Sequence, residues 1–145
     1  MTRRIVLALL VALALVGGLA APADARPHRN AVLGSKTYYA PYGQGWGTRR
    51  PATVFNGGVP SGLISNITWK GWGNKKARGY GLGNQYRPEG GYYAKKVKVQ
   101  LIARSMSRCT RNGPRAYTKL YARFQARPGG PFEKWFSWSG PGRIC

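Results

Sequence analysis

Acidic side chains are nearly missing from this chain: three Asp and Glu among 145 residues, against 24 Lys and Arg, for a formal charge of +21. Histidine occurs once and cysteine twice. Each shortage removes a class of chemistry. General acid–base catalysis draws mostly on His, Asp and Glu, and most glycosidases need two carboxylates flanking one bond. The groups on offer are Glu89 in a Gly/Pro loop, Glu133 between aromatic residues, and His28 in an aperiodic segment. A hydrolytic triad would require His28 to dock from that segment. One His, scattered carboxylates and two cysteines that a bridge would consume make no zinc or calcium shell, so neither a metal nor a cofactor is expected. Gly79–Gly83 (GYGLG) lacks the spacing and the following helix of a phosphate-binding loop. No enzymatic activity is expected, with an unrecognised Ser–Lys or Tyr–Lys pair as the route by which that expectation would fail.

The first residues carry an export signal. Arg3 and Arg4 precede an apolar run from Ile5 to Val16, and Ala23-Asp24-Ala25 offers an A-x-A cleavage site before Arg26, with Ala21-Pro22-Ala23 competing. The run is short for a bilayer core of about 30 Å, and no cysteine near the cleavage site offers a lipid anchor. Residues 1–25 are therefore read as a cleavable leader, and the mature chain as a bacterial protein that is secreted or held at the cell wall, without a transmembrane span. Removing Arg3, Arg4 and Asp24 leaves 22 basic and two acidic residues, a net charge of +20. Charge of that size repels itself and draws polyanions. In an exported protein, Cys109 and Cys145 are expected to pair within one chain, with a bridge between two chains as the alternative; a monomer is expected.

What the chain does have is glycine, aromatics and alternation. Leu63–Leu82 (LISNITWKGWGNKKARGYGL) reads as strand, turn and strand, with Leu63, Ser65, Ile67 and Trp69 on one side and Gly73-Asn74 as a two-residue turn. Pro51–Phe55 reads as a short first strand. Tyr92–Arg104 alternates with Lys95, Val97, Val99, Leu101 and Ala103 on one face, and Ala116–Arg127 with Thr118, Leu120, Ala122, Phe124 and Ala126 inward. Phe132–Trp138 makes a last strand. Short strands punctuated by Gly and Pro, with no helical period beyond the leader, predict an all-β fold: a small antiparallel sandwich or barrel with one disulfide. Residues 26–50, rich in Gly, Tyr and basic side chains, are expected to form a flexible arm ahead of a domain spanning 51–145.

If the two long strands pair, Lys96, Lys98, Arg104, Lys119, Arg123 and Arg127 share one face with Tyr117 and Tyr121. Cations there release the counterions of a polyanion, and rings stack on bases or sugars. The same pattern also fits a solvated face whose Lys and Arg stems lie along tyrosine rings. Lys75, Lys76 and Arg78 add a second basic cluster. Trp69 is read as core; Trp72 is open between lid and stacking platform; Trp46, in a glycine loop, is read as an exposed stacking ring. Trp135 and Trp138 fall on opposite faces, so one at most is expected to be fully buried.

From Pro51 to Cys145 the order of residues resembles that of small exported actinobacterial proteins of unknown function. The likeness rests on Pro51-Ala-Thr-Val54, Leu63-x-x-x-Ile67-x-Trp69-x-x-Trp72-Gly73, Ala77-x-Gly79, Arg108-Cys109 and a long strand containing Tyr117. The resemblance implies secretion and a β fold, and no ligand or activity. Such proteins often carry a further cysteine pair after the glycine run, where this chain has Tyr86–Gly91. The expected function is that of a cationic, non-enzymatic binder of anionic polymers: phosphate-bearing envelope polymer, acidic glycan or extracellular nucleic acid. The alternatives are a membrane-active or structural cell-surface protein, which the want of a basic amphipathic helix disfavours, and a hydrolase using Glu89 or Glu133.

Overall fold

The computed structural model describes residues 27–145; the expected leader lies outside them. Its seven strands are β1 (Val32–Leu33), β2 (Val54–Phe55), β3 (Leu63–Lys70), β4 (Lys76–Gly83), β5 (Val97–Arg108), β6 (Arg115–Phe124) and β7 (Phe136–Ser137). They form one strongly curled sheet, a half-barrel, in the order β1-β6-β5-β4-β3-β2, with β7 also on β6. The fold is all-β, as the alternation predicts. All pairings are antiparallel except that of β1, which runs parallel to β6. β1 and β7 share the outer edge of β6: Val32 and Leu33 lie beside Ala116 and Tyr117, and Phe136 and Ser137 beside Ala122 and Tyr121.

The β5–β6 hairpin supplies the centre of the core. Val99 faces Phe124, Leu101 faces Ala122, and Ala103 faces Leu120, so a large side chain meets a smaller one at successive inward pairs. All six are buried, and this interlocking fills space without strain. β4 contributes room instead of bulk. Side chains built on Gly79, Gly81 and Gly83 would fall 3.0 Å from the Trp69 ring, 3.0 Å from Ile64 and Ile67, and 2.6 Å from Phe124. The alternate glycines form a trough in the sheet into which neighbouring strands insert their large residues.

β3 departs from simple alternation. Asn66 adopts φ +54°, and the pairing with β4 shifts between Ser65 and Thr68. The extra residue of this bulge rotates the second half of the strand, so that Ile64 and Ile67 are both buried. The expected face of Leu63, Ser65, Ile67 and Trp69 is therefore corrected: Ile64 joins the core, and Leu63 and Ser65 are only half-buried. The connection to β4 is likewise longer than the expected two-residue turn. Gly71–Lys75 forms it, with Asn74 N–H donating to Gly71 O at 3.2 Å.

Residues 27–50 are not the flexible arm that their composition predicts. Ala31, Leu33 and Trp46 are buried in the same core as the sheet. Leu33 N–H donates to Thr48 O and Gly47 N–H to Leu33 O, at 2.9 and 2.7 Å, folding the segment back on itself beside β6. The Trp46 indole N–H donates to Phe55 O at 2.8 Å. An aperiodic segment can order itself in this way when its few apolar residues fill a gap left by the sheet. At the other terminus, Cys109 and Cys145 are bridged within the chain, their Cα atoms 4.9 Å apart. Ile144 beside the bridge is wholly buried, and its N–H donates to Thr118 O at 2.9 Å.

Candidate functional site

The solvent-facing side of β4, β5 and β6 gathers most of the cations that the alternation places outward. Pair registers set them in rows: Lys76, Arg104 and Lys119; then Arg78, Ile102 and Tyr121; then Tyr80, Gln100 and Arg123; then Leu82 and Lys98. Neighbouring strands lie about 4.8 Å apart, so these rows form a continuous surface instead of isolated charges.

Two arginines on this face are fixed. Arg104 lies over the Tyr121 ring at 4.3 Å and donates from Nη2 to the Tyr121 hydroxyl at 2.9 Å. That hydrogen bond, helped by the charges of Arg104 and Lys119, holds the Tyr121 phenol below its ordinary pKa. Arg123 donates from Nε to Gln100 Oε1 at 2.9 Å. Its guanidinium also sits 5.0 Å from the Phe132 ring and 4.8 Å from the Trp135 ring. Stacked guanidiniums lose less rotamer freedom on binding than free lysines do, because part of the ordering is already complete.

Exposed rings border the cations. Tyr80 and Trp135 keep 42% and 39% of their surface open. A depression of about 450 Å³ is lined by Tyr80, Leu82, Lys98, Gln100 and Phe132. A second, of about 240 Å³, lies between Arg78, Tyr80, Arg123 and Trp135. A third, of about 270 Å³, lies between Lys76, Ile102, Arg104, Tyr121 and Trp135. Trp135 thus stands at the junction of two of them. None of these cations is paired with a carboxylate: the one ion pair among the described residues joins Arg87 to Glu89 at 3.8 Å, and Glu133 accepts from Gln85 Nε2 at 3.2 Å.

Of the residues expected from sequence, Lys76, Arg78, Lys98, Arg104, Lys119, Tyr121 and Arg123 come together here. Lys96 is exposed just ahead of β5, its ammonium donating to Ser65 Oγ at 3.0 Å. Lys75 is exposed at the hairpin tip, and Arg127 in the turn after β6. Three aromatic expectations are corrected. Tyr117 is buried in the core with Leu33 and Trp72, its hydroxyl hydrogen-bonded at the tip of the β3–β4 hairpin. Trp46 is buried at 3% exposure, not presented to solvent. Trp72 is buried at 4%, its indole N–H donating to Ala31 O at 2.9 Å, so it is a lid on the core. None of the three can stack on a ligand in this state.

Tyr80, Gln100, Phe132 and Trp135 were not among the expected site residues. Tyr80 and Gln100 were within reach of alternation, since each lies out of phase with the buried positions of its strand. Phe132 and Trp135 come from the segment expected as a last strand, of which only Phe136–Ser137 is strand; its packing against the cations of β5 and β6 is a long-range contact that no local pattern carries. Among the described residues there is no cluster of three His, Cys, Asp or Glu side chains fit to hold a metal, and no helix long and apolar enough to cross a membrane. No protein-family model, curated protein or solved structure matches this chain.

Proposed function

We propose that the protein is a secreted, non-enzymatic binder of anionic polymers, and that the solvent face of β4, β5 and β6 is where the polymer lies. The observation that carries this reading is the pair Arg104 and Arg123, each held on aromatic rings and each hydrogen-bonded to a neighbouring side chain, in a field of cations none of which is ion-paired. Polymer phosphates or carboxylates would be met by Lys76, Arg78, Lys98, Arg104, Lys119 and Arg123. Tyr80 and Trp135 would offer flat surfaces to bases or sugar rings. The ligand class is a phosphate-bearing envelope polymer, an acidic glycan or extracellular nucleic acid.

The test is binding of the purified protein to wall teichoic acid, a polyuronate and single-stranded DNA over a salt series, beside a neutral glycan. The Arg104→Gln/Arg123→Gln double variant is carried alongside. Binding that weakens steeply with salt, and a slope shallower by about 2 in the double variant, is the expected result. Equal slopes for wild type and variant would remove this face from the reading, and no polyanion binding at low salt would remove the reading itself.

A further inference from the structure

A second cationic site is built where Pro27–Asn30 lies across the tip of the β3–β4 hairpin, with His28 N–H donating to Gly73 O at 2.8 Å. A cavity of about 560 Å³ opens there, lined by Pro27, Arg29, Arg49, Arg50 and Trp72. Three arginines thus line one concave space that has Trp72 as part of its wall. Arg49 Nη1 donates to Asn30 Oδ1 at 3.3 Å. Among the described residues, neither Arg29 nor Arg50 makes a side-chain hydrogen bond, and none of the three has a carboxylate at ion-pair distance.

The backbone adds an independent sign. Arg50 sits at φ +48°, the left-handed region. A full side chain is uncommon there, and such conformations persist where the surroundings over-determine them, often at ligand sites. Glycine would occupy the position without strain, yet an arginine is held in it, facing the same cavity as Arg29 and Arg49.

We propose that this pocket clamps a terminal phosphate group, a phosphomonoester at the end of a polymer or on a small molecule. A phosphomonoester carries about −1.5 to −2 charges near neutral pH and three strong acceptor oxygens, which suits several forked guanidinium donors at once. A phosphodiester within a chain or a sulfate ester brings a single charge. The Trp72 wall excludes water from one side and so strengthens the pairing. The site is separate from the sheet face: it selects an end group, whereas the face selects a chain of charges.

The experiment is a titration of the purified protein with phenyl phosphate, with phenyl sulfate and diphenyl phosphate as comparators, following the five tryptophan indole N–H resonances. Phenyl phosphate is expected to move the Trp72 signal at lower concentration than either comparator. Arg49→Gln and Arg50→Gly are each expected to weaken that binding about tenfold, the loss of one charge-assisted contact. Arg50→Gly should meanwhile keep or raise the melting temperature, because it relieves the positive φ; an arginine serving only the fold would show the reverse. An unmoved Trp72 resonance, equal response to phenyl sulfate, or wild-type binding by both variants would each overturn the proposal. The Arg104→Gln/Arg123→Gln protein should bind phenyl phosphate normally, so failure of the sheet-face reading and failure of this one are told apart.

Discussion

The ring of Tyr117 on β6 stands edge-on to that of Trp72 at the hairpin tip, their centroids 5.0 Å apart and their planes at 71°. The Tyr117 hydroxyl accepts from Gly73 N–H and donates to Asn74 O, each at 2.8 Å. One side chain therefore closes the half-barrel by joining its outer long strand to the tip of the β3–β4 hairpin. Tyr117→Phe keeps the ring contact and removes both hydrogen bonds, leaving the buried Gly73 N–H without its partner. The expected cost is about 1–3 kcal/mol, read as a lower midpoint in urea with the slope unchanged. An unchanged midpoint would show that water replaces the hydroxyl at no cost.

The same tyrosine is expected to weaken the fold at alkaline pH. Burial pushes the Tyr117 phenol above its ordinary value of 10.0, partly offset by the Gly73 hydrogen bond. Burial, with Tyr38 adding repulsion, moves Tyr39 the same way. The folded state thus favours the neutral phenols. Their contribution is complete below the unfolded pKa near 10 and is lost as pH rises through the raised folded values. Tyr121, half-buried beneath Arg104, has the opposite sign and works against this loss. Unfolding midpoints measured upward from about pH 10 should fall steadily in wild type and less steeply in Tyr117→Phe. Parallel curves would remove Tyr117 as the cause.

Alternation made β5, β6 and the outward cations legible, because both strands are half-buried and long enough for period two to stand out. Val97, Val99, Leu101 and Ala103 are buried as expected, and Lys98 and Arg104 exposed. The bulge at Asn66 was not legible: one left-handed residue reverses the phase of everything after it, and asparagine gives only a weak hint of it. Tyr117 was misplaced for a different reason. Its strand does not keep period two at that end: Ala116, Tyr117 and Thr118 are buried in succession, and Ser105, at φ +62°, lies between the paired rows Arg104–Lys119 and Met106–Tyr117. Burial there depends on a contact between distant parts of the chain, which a local pattern does not carry. Trp46 was misread on the same ground, since glycine neighbours describe backbone freedom and not where a ring packs.

The bridge closes a loop of 36 residues in sequence separation. It holds Ile144 against β6, where the side chain is wholly buried. Replacing both cysteines by serine should cost about 4 kcal/mol on the chain-entropy account. The end of the chain should then fray, with faster hydrogen exchange at the Ile144 amide, which bonds Thr118 O at 2.9 Å. Exchange at Ile144 as slow as in the bridged protein would mean that packing alone secures the terminus.

The glycine trough of β4 makes a sharper demand on size. A methyl group added at Gly83 would lie 2.6 Å from Phe124 Cε1 and 3.0 Å from Val99 Cγ2. One at Gly79 would lie 3.0 Å from the Trp69 ring and 3.1 Å from Leu101 Cβ. Overfilling a packed core costs about 1–3 kcal/mol per site. Gly83→Ala should lower stability by that amount, and Gly79→Ala should in addition shift tryptophan emission as Trp69 is displaced. Wild-type midpoints in both would show that the sheet relaxes its curl freely, contrary to the packing argument.

On the sheet face, Trp135 and Arg123 are mechanically linked, the guanidinium 4.8 Å from the indole ring. Their roles in polymer binding differ in kind. Trp135→Ala removes a stacking surface, worth about 1–3 kcal/mol for a base, and should leave the salt slope untouched. Arg123→Gln removes a phosphate contact and should make the slope shallower by about 1. Because the arginine also positions the ring, the two losses should not add: the double variant should bind better than the sum of the single effects predicts. The measurement is a double-mutant cycle on single-stranded DNA at several salt concentrations. Strict additivity would mean that the guanidinium does not position the indole, and an unchanged slope in Arg123→Gln would mean that it does not meet the polymer.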